Sequence, residues 1–166
     1  VLAALGAKPG DRIATLSGNR LESLEEMAAL ALGGFGRCPL YATDSPLRHA
    51  QVLSFLAPAV LIADDAYWQQ LRPLLPQGVP FKVLVRGAQA AHDPGGVDYE
   101  REIAAASSAV PDAPAEPDSL HVIRFTAGTT GIPKPVAHSV RGYLEANIEV
   151  LAECPLTELD AYLAIS

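Results

Sequence analysis

Cysteine is scarce in this sequence: Cys38 and Cys154 are the only two in 166 residues, and they lie far apart. Two distant thiols provide no disulfide framework, and no cysteine or histidine stands at the spacing of a zinc site. We therefore expect no metal site within these residues, small buried thiols, and a location in the reducing cytoplasm.

Basic residues and long apolar runs are also few. Lys and Arg number 12 against 19 for Asp and Glu, and the resulting net charge of −7 argues against a nucleic-acid surface. Charge-free apolar stretches such as Met27–Gly36 are much shorter than the roughly 20 residues that cross a bilayer, so we expect no transmembrane segment. Aromatic residues make up 6%, yet 49% of the residues are hydrophobic, which is enough to bury a core.

The two ends of the sequence resemble interior segments. There is no initiator methionine, and the last residues, Ala161–Ser166, form an apolar, strand-like segment with no polar tail. The length is that of one domain. We interpret residues 1–166 as one partial domain, cut at both ends from a longer protein.

Apolar segments typical of strands alternate with segments of helical periodicity, which predicts an α/β fold. Because strand–helix–strand connections place the two strands side by side in the same direction, we expect a parallel-rich β-sheet with flanking helices. The continuous apolar run Ala59–Ala63 is typical of a central strand buried on both faces. Further strands are predicted at Arg12–Leu16, Cys38–Ala42, Phe81–Val85 and Leu120–Phe125.

Helix starts follow from residues that favour the first turn. Asn19, with Glu22 three residues later, has the spacing of a capping box, and Ser45 followed by Pro46 predicts a second helix. The pair Asp64–Asp65 is interpreted as the cap of a short third helix rather than as a metal pair. The face of the first helix that is predicted to be buried carries Leu21, Leu24, Ala28 and Ala31.

The segment Arg124–Ser139 carries the clearest functional signal. A predicted strand leads into Gly128 and Gly131, which bracket two threonines, and glycines let backbone amides approach an anion closely. Lys134 adds an ammonium group. Proline stands directly before and after this lysine, so the segment is not a Walker motif. The pattern indicates a loop that binds a polyphosphate, the alternative being a turn between strands with a solvated lysine.

Residues 125–139, FTAGTTGIPKPVAHS, resemble the phosphate-loop signature of the adenylate-forming superfamily, [YF]-T-S-G-[ST]-T-G-x-P-K-G-V-x-H-[ST]. Ala127 replaces the usual serine, and Pro135 replaces the usual glycine. The resemblance extends to Gly10–Ala14 near the start of the sequence. It implies part of the large N-terminal, AMP-binding domain of an acyl-CoA synthetase-like protein. The cofactor-binding residues that it implies are Thr126, Ala127, Gly128, Thr129, Thr130, Gly131 and Lys134.

The resemblance also implies an activity for the parent protein. A carboxylic acid would attack the α-phosphate of ATP carrying Mg²⁺, giving an acyl-adenylate and pyrophosphate, and coenzyme A would then displace AMP. A fatty or aryl acid is the expected substrate, within fatty acid metabolism. The family's adenine-binding and ribose-binding motifs and its C-terminal domain are absent. We therefore expect no catalytic residue here and no reaction by residues 1–166 alone.

Other interpretations stay open at this point. The parent could be an adenylation domain that activates an amino or aryl acid for a carrier protein. The chain could instead be a stand-alone nucleotide-binding or phosphate-binding module without catalysis, or a structural α/β domain. The oligomeric state is not indicated. Arg86 and Arg141 are expected to be solvated at the surface, and His138 is expected to have a structural role.

Overall fold

The computed structural model describes residues 1–93, 95–109, 116–126, 134–155, 157 and 159–161. Within them a seven-stranded sheet has the order β5-β4-β3-β1-β2-β6-β7. The strands are β1 Arg12–Leu16, β2 Gly36–Pro39, β3 Val60–Asp64, β4 Lys82–Arg86, β5 Val97–Asp98, β6 Leu120–Phe125 and β7 Pro135–Ser139. All neighbouring pairs are parallel except β6 and β7, which are antiparallel. The predicted α/β fold with a parallel-rich sheet is confirmed.

Helices cover both faces of this sheet and bury its apolar side chains. They are α1 Glu22–Leu32, α2 Pro46–Leu56, α3 Asp65–Leu71, α4 Tyr99–Ala105 and α5 Val140–Glu153, with short 3-10 turns at Arg72–Leu74 and Ala90–His92. On one face α2 and α3 contribute Leu53 and Trp68 to the core. On the other face α1 and α4 contribute Leu30 and Tyr99. Residues in the middle of β3 face both layers, as its continuous apolar run predicts.

The start signal of α2 and the stop signal of α1 act as predicted. The Ser45 side chain caps α2 by accepting a hydrogen bond from the Arg48 N–H at 3.3 Å, and Pro46 occupies the first turn. Gly33 ends α1, followed by Gly34 at a φ of 68°. The second strand is displaced from its predicted position, because β2 begins at Gly36 and ends at Pro39.

The predicted start and buried face of α1 are wrong. The helix begins at Glu22, its N-cap position is Leu21, and no side chain caps it, so Asn19 does not act as the cap. Leu21 and Leu24 are 69% and 59% exposed. The residues that α1 does bury are Glu26 and Leu30. An ion pair between Glu26 and Arg86 holds the helix in this rotation, which turns its leucine and alanine face outward.

Gly87 follows β4 in a conformation that a side chain would strain. Its φ is 133°, and a Cβ there would lie 2.4 Å from the carboxyl carbon of Asp65. That carboxylate accepts a hydrogen bond from the Gln89 N–H at 3.3 Å, so moving it away would break this hydrogen bond. We expect Gly87→Ala to lower the free energy of unfolding by about 2–3 kcal/mol in urea denaturation.

Gly78→Ala is the matched control for this substitution. Gly78 has a φ of 74°, but the space around its Cβ position is open. The control therefore carries the backbone strain without the collision, and we expect a loss of about 1 kcal/mol. Equal losses for the two variants would contradict the role assigned to Asp65.

Candidate functional site

The polyphosphate motif lies between two adjacent antiparallel strands at the edge of the sheet. Phe125 at the end of β6 pairs with Pro135 at the start of β7. One step further on, the Thr126 N–H donates to the Lys134 carbonyl at 3.0 Å, and the Lys134 N–H donates to the Thr126 hydroxyl at 3.4 Å. The two ends of the motif are therefore fixed side by side. The strand, loop and strand order predicted for the motif agrees with these flanking strands.

Two of the seven predicted cofactor-binding residues are described by the structure. Thr126 and Lys134 are both exposed, at the carboxyl end of β6 and the amino end of β7. Within the described part of the chain, no carboxylate forms an ion pair with the Lys134 ammonium group, which leaves it available to an anion. The other five predicted residues lie outside the described residues: Ala127, Gly128, Thr129, Thr130 and Gly131.

A cationic and aromatic group of residues, formed by His121 and Arg124 of β6 and Tyr143 of α5, lies beside this motif. The His121 and Tyr143 rings have centroids 4.5 Å apart, and the Arg124 guanidinium lies 5.8 Å from the Tyr143 ring centroid. Burial lowers the pKa of His121, and the positive charges of Arg37, Arg124 and His138 lower it further. These effects favour the neutral form of His121, and the permanent positive charge of this region comes from its arginines.

An ion-pair network at the carboxyl ends of β3 and β4 was missed by sequence reasoning. Arg86, expected at the surface, is only 3% exposed. Its Nη2 lies 2.7 Å from Asp64 Oδ1, its Nη1 contacts Glu26 Oε1, and its guanidinium lies 5.1 Å from the Tyr99 ring centroid. Arg141 does lie at the surface, paired with Asp118 at 3.1 Å.

Asp64 does not cap α3 through its side chain. It occupies the N-cap position of α3, but its side chain makes no capping hydrogen bond. Its carboxylate instead accepts from the Gly18 N–H at 3.1 Å and pairs with Arg20 at 3.0 Å, in addition to Arg86. No group of three metal ligands occurs among the described residues. Asp64 therefore ties the connection after β1 to β3 and β4.

One signal for this network was present in the sequence. Asp64 and Arg86 each end an apolar strand, and the two residues are in register on neighbouring parallel strands. Glu26 could not have been found in this way, because its contact with Arg86 depends on the rotation of α1. Burial raises the pKa of Glu26, and the charge and hydrogen bond of Arg86 oppose that rise. The network has a structural role, since all its charged groups are bound to one another.

The two cysteines differ in environment. Cys38 is buried, and burial raises the pKa of its thiol to about 12. Cys154 is exposed, so the expectation of two buried thiols is wrong for it. Its position explains the difference, because it follows α5, a helix without buried residues in the described part of the chain.

We expect iodoacetamide at pH 8 to modify Cys154 and to leave Cys38 unmodified in the folded protein. The reactive species is the thiolate, which Cys38 does not form near that pH. Peptide mapping by mass spectrometry measures both sites, and unfolding in guanidinium chloride should make the two equally reactive. Rapid labelling of Cys38 without denaturant would contradict the burial assigned to it.

The sequence matches the family described as AMP-binding enzyme over residues 1–166. The chain belongs to this AMP-binding enzyme family. The match covers every residue of the chain, including the β6–β7 motif and the strand–helix units that precede it. The superfamily resemblance inferred from the motif is thereby confirmed.

Three relatives show the range of this family. The chain is 28% identical to a salicyl-AMP ligase / salicyl-S-ArCP synthetase of Mycobacterium tuberculosis. That alignment runs over 169 residues and covers 99% of the chain. It is 34% identical over 143 residues, 84% of the chain, to an L-proline–[L-prolyl-carrier protein] ligase of Pseudomonas fluorescens. It is 26% identical over 149 residues, 85% of the chain, to 4-hydroxybutyrate–CoA ligase 2 of Metallosphaera sedula. The matches span 29%, 26% and 27% of these proteins.

Solved structures of the same fold support the architecture. The crystal structure of the anthranilate CoA ligase AuaEII in complex with anthranoyl-AMP superposes with a TM-score of 0.78 at 19% identity. The match covers 90% of this chain and 29% of that one. In the described residues, no helix has the length and apolar character needed to cross a membrane.

Proposed function

We propose that the parent of this chain is an ATP-dependent carboxylic acid ligase that forms an acyl-adenylate, and that residues 126–134 bind the phosphates of ATP. The observation that carries the proposal is the β6–β7 motif. Its two ends are joined by hydrogen bonds between Thr126 and Lys134, and the Lys134 ammonium group has no carboxylate partner in the described residues. We further propose that residues 1–166 are part of an N-terminal domain, and that the catalytic lysine lies in a C-terminal domain outside them.

The role proposed for these residues is electrostatic. When a carboxylate attacks the α-phosphorus of ATP, negative charge moves onto the departing pyrophosphate. Donors fixed before the reaction stabilise this charge at little reorganisation cost. Lys134 supplies one ammonium group, and the amides and hydroxyls of Gly128, Thr129 and Thr130 are proposed to supply the rest. We propose that Mg²⁺ is held mainly by the phosphates, as is usual for this ion.

For the acceptor of the acyl group we propose coenzyme A, with a carrier protein as the second candidate. The CoA ligase among the relatives supports the first, and the salicyl and L-prolyl relatives, whose names include carrier proteins, support the second. A fatty or aryl acid is proposed as the substrate, and the cytoplasm as the location. A stand-alone nucleotide-binding module is less favoured, because the matched relatives are ligases that extend well beyond the region matched here.

ATP–pyrophosphate exchange by the full-length protein tests this function. The assay is run with a panel of fatty, aryl and amino acids, and we expect exchange that depends on one of these acids. Adding CoA or a phosphopantetheinylated carrier protein to the active reaction then identifies the acceptor by mass spectrometry. Binding of ATP without exchange for any acid would favour the non-catalytic module. The isolated residues 1–166 serve as the control and should show no exchange.

A further inference from the structure

A polar cavity of about 150 Å³ lies on the α1 side of the sheet, at the carboxyl ends of β1 and β2. Side chains from three elements line it: Thr15 and Ser17 at the end of β1, Ser23 and Glu26 of α1, and Arg37 of β2. A water molecule in the liquid takes about 30 Å³, so the cavity has room for several waters or for a small polyatomic ion. The described residues that line it do not include Thr126 or Lys134 of the β6–β7 motif.

Arg37 occupies an unusual position for a charged residue. Its strand runs between β1 and β6, where Arg37 is in register with Ile13 and Val122. Both of these neighbours are fully buried. The Arg37 Nε atom is itself buried and has no hydrogen-bond partner. Arg37 as a whole is half-buried, so the cost falls on this one N–H. A buried donor without a partner is unfavourable, and an anion is the strongest acceptor for it.

The described part of the chain does not supply that partner. Among the described residues that line the cavity, Glu26 is the one carboxylate, and Arg86 already binds it. Arg37 makes no hydrogen bond or ion pair with a described residue. Burial lowers the pKa of Arg37, and the nearby positive charge of Arg124 lowers it further. An anion in the cavity would compensate both effects.

We propose that this cavity binds a small oxyanion, a phosphate or carboxylate group, with Arg37 as its charged contact. The neighbouring hydroxyls complete the site. Ser17 and Ser23 have their oxygens 3.1 Å apart, and each hydroxyl can rotate to donate to the ion. The Glu26 carboxylate limits the ion to a small one, because a larger anion would contact it. Arg37 is not among the residues proposed to bind ATP, so variants of Arg37 test this cavity separately.

Binding of inorganic phosphate and of acetate to the full-length protein tests the proposal, by calorimetry at constant ionic strength. Lys134→Ala is the background, which removes the ammonium group of the β6–β7 motif, and dependence on Arg37 then assigns the remaining binding to the cavity. We expect saturable binding of at least one ion, and Arg37→Gln should weaken it at least about tenfold. Arg37→Lys should keep part of the affinity. Arg101→Gln is the matched control, because Arg101 is an exposed arginine of α4, and it should leave affinity within about twofold.

The relative affinities distinguish the source of the ligand: tighter phosphate binding indicates a phosphoryl group, and tighter acetate binding indicates a carboxylate. A crystal of the wild-type protein grown with selenate provides a second measurement, and its anomalous signal should lie beside Arg37. Three results would overturn the proposal. They are no saturable binding, binding that Arg37→Gln leaves unchanged, and a carboxylate from the rest of the parent protein occupying the cavity.

Discussion

Arg86→Met is expected to lower the free energy of unfolding by about 3–5 kcal/mol. The substitution places an apolar side chain in the space of Arg86, which is 3% exposed. It also leaves the Glu26 and Asp64 carboxylates with less positive charge to offset their own. Glu26, whose side chain is 5% exposed, loses its one arginine partner, while Asp64 keeps Arg20. Urea denaturation at pH 7 measures the loss.

The pH dependence of this loss follows from the sign of the Glu26 shift. Burial raises the pKa of Glu26, and removing Arg86 removes the groups that oppose the rise. A carboxyl with a raised pKa in the folded state binds more protons when folded, so stability falls as pH increases from its unfolded pKa through its folded pKa. The variant should therefore lose less stability near pH 5 than near pH 8.

Two further variants control this experiment. Arg101→Met removes an arginine whose side chain is 72% exposed, and it should change stability by less than about 0.5 kcal/mol. Adding Glu26→Leu to Arg86→Met removes the unpaired carboxylate and should restore part of the loss. A loss below about 1 kcal/mol for Arg86→Met would contradict the structural role of the network.

Lys134→Ala in the full-length protein is expected to lower kcat/KM for ATP in pyrophosphate exchange by about 10²–10³-fold. One fixed donor to a developing negative charge contributes on this scale, about 3–4 kcal/mol. Lys134→Arg keeps the positive charge at a changed geometry and should retain more activity than the alanine variant.

Lys82→Ala is the control for this loss. Lys82 is also exposed, but it lies at the amino end of β4, whereas Lys134 lies next to the carboxyl end of β6. The strands from β4 to β6 are all parallel, so the two lysines lie at opposite ends of these strands. Activity should be unchanged in this variant. Equal effects of Lys82→Ala and Lys134→Ala would remove Lys134 from the site.

Local patterns predicted the parts of the fold that depend on neighbouring residues. The apolar run in β3, the Ser45 cap of α2 and the strands around the β6–β7 motif were all found in this way. Each of these signals is contained in a few consecutive residues. The local structure that each signal predicts does not depend on how distant segments pack.

Contacts between distant segments account for the errors. Periodicity placed Leu24 in the core, but α1 instead buries Glu26, which pairs with Arg86, 60 residues away. Arg37 was not singled out for the same reason, since only the sheet order shows that its strand is an interior one.

A crystal structure of the full-length protein with a non-hydrolysable ATP analogue will show whether the segment between β6 and β7 binds the triphosphate of ATP. We expect the β- and γ-phosphates to lie within hydrogen-bond distance of the Lys134 ammonium and of the amides of residues 128–131. A well-ordered analogue with its phosphates bound elsewhere, and Lys134 in solvent, would contradict it.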